Sequence, residues 1–75
     1  MSRAVVVVRR VNQIAANMAH LQRDQAVAEI SAHLRLSWAP SMRADLLAYL
    51  DDGGLDLTPL AAAAAEQLRN VEARP

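Results

Sequence analysis

The chain has no cysteine, no phenylalanine and no lysine, and its only aromatic residues are Trp38 and Tyr49. Without cysteine, neither a disulfide nor a cysteine-ligated zinc ion is available to stabilise the fold. Long hydrophobic runs are also missing. The longest stretch of large apolar residues is Val5 to Val8, and the alanine run is Ala61 to Ala65. Both fall far short of the ~20 residues that a membrane span needs. Arg3 precedes the valines and Arg9-Arg10 follow them, so the run is too short for the core of a signal peptide, and no small-x-small cleavage site follows. The expectation is a cytoplasmic protein that does not associate with a membrane.

Large side chains are scarce as well. Of the 75 residues 40 are apolar, but 16 of these are alanine, which leaves 24 larger ones. At ~25 cal/mol per Å² of buried apolar area, so short a chain roughly breaks even against its ordering entropy. Small domains in that position rely on a disulfide, a metal or a partner. With the disulfide excluded, a partner is the first expectation.

Net charge is zero, from eight arginines and eight acids, yet the charge is divided along the chain. Residues 1–43 hold six arginines and two acids, and residues 44–75 hold two arginines and six acids, so the halves carry +4 and −4. A nucleic-acid binder shows a basic stripe instead. The division suits pairing between the two halves or a partner of mixed charge.

What is present reads as one all-α domain over residues 1–75, a small bundle of about four short helices. Val8, Val11, Ile14, Ala15, Met18 and Leu21 follow the i, i+3, i+4, i+7 spacing of one helix face, which predicts a first helix from about Val5 to Leu21. The valines favour strand locally, but no second strand exists to pair with them. Asp24 is the expected N-cap of a second helix. Its face is Val27, Ile30, Leu34 and Trp38, and Pro40 stops it near Ser37 or Trp38. Pro40 suits the first turn of a third helix, with Met42, Leu46, Leu47, Tyr49 and Leu50 on its apolar side and Gly53-Gly54 at its end. Thr58-Pro59 reads as N-cap and first residue of a fourth helix, with Leu60, Ala64, Leu68 and Val71 inward and Leu57 as a staple. The alanine run gives that helix a smooth surface, suited to close helix approach or to solvent.

Chemistry-bearing constellations are few. His20 and His33 are far apart, and Glu29 and His33, four residues apart on one helix, read as an intrahelical pair. Asp51, Asp52 and Asp56 lack calcium-loop spacing. No nucleophile elbow, phosphate loop or dinucleotide fingerprint occurs. A third helix reading DNA would present Arg43 among Asp45, Asp51 and Asp52, which phosphates would avoid. No catalytic residue, metal or cofactor is expected, nor nucleic acid as a partner. Trp38, Met42 and Arg43 cluster around Pro40, and these residue types are enriched at interface cores. Trp38 suits two roles equally, a core residue at a helix end and an interface anchor.

Asn12-Gln13-Ile14-Ala15, His33-Leu34, Trp38-x-Pro40-x-Met42-Arg43, Leu46-Leu47, Gly53-Gly54 and Leu57-x-Pro59 stand in an order and spacing that resembles the delta subunit of NAD-dependent, molybdenum- or tungsten-containing formate dehydrogenase. The resemblance covers about residues 8–70. Ser37, Ser41 and the alanine-rich fourth helix depart from the family pattern. What it implies is a cofactor-free accessory subunit without its own active site. Such a subunit docks on the large (alpha) catalytic subunit, which holds the molybdopterin and iron–sulfur clusters, and the other subunits of the complex are further partners. Trp38, Pro40, Met42, Arg43, Asn12 and Gln13 are the expected partner contacts. Trp38 would fill a pocket and Arg43 would pair with a carboxylate or carbonyls, so that Trp38 and Met42 complete their burial only against the partner. The rival expectations are a chaperone for molybdopterin insertion, absent from the mature complex, and an independent helical homodimer with Val8, Val11 and Met18 as its seam.

Overall fold

A computed structural model describes residues 2–73. It contains four helices, α1 (Arg3–Asn17), α2 (Arg23–Ser37), α3 (Pro40–Asp51) and α4 (Pro59–Glu72), and no strand among the described residues. The expected all-α bundle of four short helices is what forms.

The valines are helical from the start. Ser2 caps α1, its Oγ accepting the Val5 N–H at 3.3 Å, so the helix begins two residues before Val5. It also ends earlier than the periodicity suggests. After Asn17 the chain tightens into i→i−3 bonds, Ala19 N–H to Ala16 O and Leu21 N–H to Met18 O. Leu21 still packs against the core, but from this turn. The second cap differs from expectation: Gln22, not Asp24, precedes α2, and its side-chain oxygen accepts the Gln25 N–H at 3.2 Å. Asp24 lies inside the first turn, where a carboxylate suits the positive end of the helix dipole.

The remaining ends fall where proline and glycine place them. Trp38 and Ala39 are both extended, the latter forced out of the helical region by Pro40, so two residues separate α2 from α3. At the end of α3 the Gly53 N–H reaches Leu50 O and the Gly54 N–H reaches Tyr49 O. This is the paired closure of a Schellman motif. Both glycines have positive φ, +110° and +58°. A Cβ on Gly54 would meet Leu57 Cδ1 at 3.1 Å as well. Thr58 caps α4 by accepting the Ala61 N–H, with Pro59 next.

Packing is led by α2 against α4, the largest helix–helix interface. Leu21 of the preceding turn and Arg23 and Ala26 at the start of α2 share a shallow groove with Pro59 and Leu60 at the start of α4. At the far end Arg43 joins carbonyls of α2's last turn to Glu72 of α4. The two helices therefore run in the same direction. The alanine surface is what brings them together: Ala61, Ala64 and Ala65 are fully buried beside Ala26, Ile30 and Leu34. Val11, Leu46 and Leu68 fill the rest of the centre. No helix among the described residues is long and apolar enough to cross a membrane.

Candidate functional site

The turn around Pro40 is built from the inside. Trp38 is only 8% exposed and belongs to the core cluster. Its burial is completed within this chain, which corrects the expectation that a partner is needed to cover it. The reason is the extended backbone at Trp38, which ends α2 while leaving the indole on the helix's inward side, one turn beyond Leu34. Met42 packs against the same core but stays half-buried, and Pro40 is exposed.

Arg43 lies one turn into α3, with its side chain 18% exposed. Its Nη1 donates to Trp38 O at 2.6 Å and to Arg35 O at 3.2 Å, and its Nε donates to Glu72 Oε1 at 2.6 Å. The last carbonyls of a helix have no intrahelical donor, and the planar guanidinium serves two of them while pairing with α4. Arg69 makes a matching tie from α4 to α3, donating to Leu47 O at 3.3 Å and pairing with Asp51. Arg43 was expected to meet a carboxylate or carbonyls; those it meets here are the chain's own.

Asn12 is half-buried on α1, and its amide brackets the α3–α4 connector. Nδ2 donates to Asp56 O at 2.8 Å, and Oδ1 accepts the Thr58 N–H at 3.0 Å. One side chain thus fixes the approach to the α4 cap. Asn12→Ala is expected to cost about 1–2 kcal/mol of unfolding free energy, read by urea denaturation. Faster hydrogen exchange at the Thr58 amide should accompany it, with exchange in α2 unaltered. Gln13, one residue on, is exposed and reaches only Asn17 Oδ1, at 3.5 Å. The six expected contact residues therefore fall in two places: Trp38, Pro40, Met42 and Arg43 at the α2–α3 turn, and Asn12 and Gln13 on α1.

Sequence reasoning passed over the outward ridge of α1. Val5 and Val6 are 46% and 37% exposed, and Arg9 and Arg10 stand one turn beyond them. A groove of about 460 Å³ runs along one side of the ridge, lined by Val5, Val8, Arg9 and Gln13 with Tyr49 and Asp56 opposite. A second, of about 290 Å³, runs along the other side, lined by Val6, Arg10, Met42 and Asp45. The adjacency of Val5–Val8 to Arg9-Arg10 was the available signal. Elsewhere, Leu36 and Leu55 are also exposed. Glu29 and His33 are exposed on α2, and no group of three or more His, Asp or Glu among the described residues is placed to hold a metal ion.

The charge division is partly spent inside the fold. Arg3 pairs with Asp45 at 3.0 Å and Arg43 with Glu72, each joining the basic half to the acidic half.

A family model described as NADH-dependant formate dehydrogenase delta subunit FdsD matches residues 7–65. The chain belongs to this family. The matched span enters within α1 and ends within α4, so it takes in Asn12, Gln13 and the whole α2–α3 turn. Glu72, the partner of Arg43, lies outside it. Membership makes the chain a subunit of a formate dehydrogenase, and hence a component of a complex with other subunits. Comparison with curated proteins and with solved structures gave no match.

Proposed function

We propose that the chain is a non-catalytic accessory subunit that docks on the large catalytic subunit of a cytoplasmic, NAD-dependent formate dehydrogenase and stabilises the complex. Its membership of the delta-subunit family carries this reading. The shallow, open grooves of the fold support it, since a small-molecule active site needs a deeper pocket with convergent polar groups. Trp38, Pro40, Met42, Arg43, Asn12 and Gln13 are proposed to serve docking in two ways. Pro40, Gln13 and the outer part of Met42 contribute surface, while Trp38, Arg43 and Asn12 hold that surface in shape. The chain itself needs no cofactor in this role.

Co-purification tests the proposal. The tagged chain, expressed with the other formate dehydrogenase subunits, is expected to retain the alpha subunit at fixed stoichiometry in the active, cofactor-loaded complex. If the chain is instead found only on cofactor-free alpha and is missing from the active complex, the assembly-chaperone role replaces the subunit role. Failure to associate at either stage would remove the docking function altogether. Light scattering on the isolated chain addresses the homodimer. A seam through Val8, Val11 and Met18 conflicts with the burial of Val8 and Val11 inside the bundle.

A further inference from the structure

The ion pairs of the fold leave a basic doublet unused. Arg3, Arg23, Arg43 and Arg69 each face a carboxylate, whereas among the described residues Arg35 stands alone on α2 without an ion pair and neither Arg9 nor Arg10 takes part in one. Both are exposed and neighbour each other on α1. Each follows an exposed valine by four residues, so two lanes, Val5–Arg9 and Val6–Arg10, run side by side along the ridge. A groove borders each lane, and α3 or the α3–α4 connector forms the far wall of both.

Partly exposed valines at the start of a helix add little to its own stability, since β-branched residues are mediocre helix formers. Two of them beside two unpaired arginines form an amphipathic strip with grooves to receive flanking side chains. A helix laid along such a ridge would set its own side chains into the two grooves. Its apolar groups would cover Val5 and Val6, and its charges would meet Arg9 and Arg10. From a protein segment, Asp and Glu carboxylates suit that position, and arginine takes them in bidentate pairs. Nucleic acid is the less favoured occupant, because the strip offers one arginine doublet and no lysine, well short of the basic stripe that a phosphate backbone calls for.

Resting on the docking role above, we infer that the outward ridge of α1 is a docking surface, and that its occupant is an amphipathic acidic segment of another subunit. That segment presents apolar side chains to Val5 and Val6 and at least two Asp or Glu carboxylates to Arg9 and Arg10.

The absence of cysteine makes the test direct. Gln13→Cys, at the end of the ridge, and His33→Cys, on the exposed side of α2, each create a single thiol for a benzophenone-maleimide photocrosslinker. Irradiation is done in the assembled complex, and the cross-linked peptides are sequenced. Position 13 is expected to capture another subunit at a segment with two or more acids within two helical turns, and position 33 is not. In parallel, the Arg9→Glu/Arg10→Glu double variant is expected to lose about tenfold or more in retention of the complex, with a weaker effect at high salt. The Arg23→Glu control should lose little, since its exposed pair with Asp24 contributes weakly.

Cross-links from position 13 to a second copy of this chain, or to nucleic acid, would overturn the assignment. So would capture at position 33 alone, or undiminished retention of the double variant. Should the wild-type chain join the complex while position 13 captures nothing, the face is wrong and the docking role stands. Should the wild-type chain never join, both fall together.

Discussion

Leu34→Ala is expected to lower the unfolding free energy by about 2–5 kcal/mol, the usual range for emptying a fully buried leucine site. Leu34 has no exposure and sits in the core cluster with Ile30, Leu68 and the buried alanines of α4. The neighbours cannot collapse far into the space. On one side α4 offers alanines, which have no length to extend, and on the other Trp38 is held at the turn by the extended backbone around it. A domain of this length has roughly 4–11 kcal/mol in total at the usual ~0.05–0.15 kcal/mol per residue. One substitution thus removes a large fraction of the stability, and thermal denaturation should show a midpoint at least about 10 °C lower. Leu36→Ala is the internal comparison. Only two residues away, Leu36 is 81% exposed, and its truncation should stay within about 0.5 kcal/mol of wild type. Equal losses in the two variants would contradict the helix orientation described for α2.

The second large effect is expected at Arg43. Arg43→Met keeps much of the aliphatic stem but removes three donated bonds at once, leaving Arg35 O, Trp38 O and Glu72 without their common donor. Bonds to a charged group contribute about 1.5–3 kcal/mol each, and bonds sharing one side chain do not add in full, so a loss of about 2–4 kcal/mol is expected. Arg43→Lys separates charge from shape. An ammonium group can meet Glu72 or the α2 carbonyls but cannot present the fork that reaches both. It should recover less than half of the loss. Restoration of full stability by lysine would mean that charge alone holds the α2, α3 and α4 ends together. Solvent-denaturation midpoints at low and high salt provide a further check. Because Arg43 is mostly covered, its contribution should survive salt that abolishes the exposed Arg23–Asp24 pair.

These two residues also mark how far the sequence could be read. Leu34 was legible, because its burial follows from helical periodicity and from the stop that Pro40 imposes. The caps at Thr58-Pro59 and the closure at Gly53-Gly54 were legible for the same reason: each depends on residues a few positions apart. The Gln22 cap was not, since glutamine is a poor cap by type and Asp24 offered a better one two residues later. Ser2 was hidden behind four valines whose local preference is for strand. Arg43 shows a different limit. Its partners lie 5, 8 and 29 residues away, and nothing in the spacing tells an arginine bound for its own chain from one bound for a partner. The same limit hid the docking ridge. Arg9 and Arg10 look like any solvated helix face until Arg3, Arg23, Arg43 and Arg69 are seen to be paired.

The parallel placement of α2 and α4 has a consequence for how the chain is made. In an up-and-down bundle each helix finds its cover in the next one synthesised. Here the apolar side of α2 waits through α3 and the connector for α4, the last of the described helices in chain order. Loop closure over that distance must precede the contacts that reward it, which slows folding relative to a bundle of sequence neighbours. During synthesis Ile30, Leu34 and Trp38 lack their main cover until the alanines of α4 have emerged. In that interval the nascent chain presents to the cell the leucines and tryptophan that the finished subunit conceals.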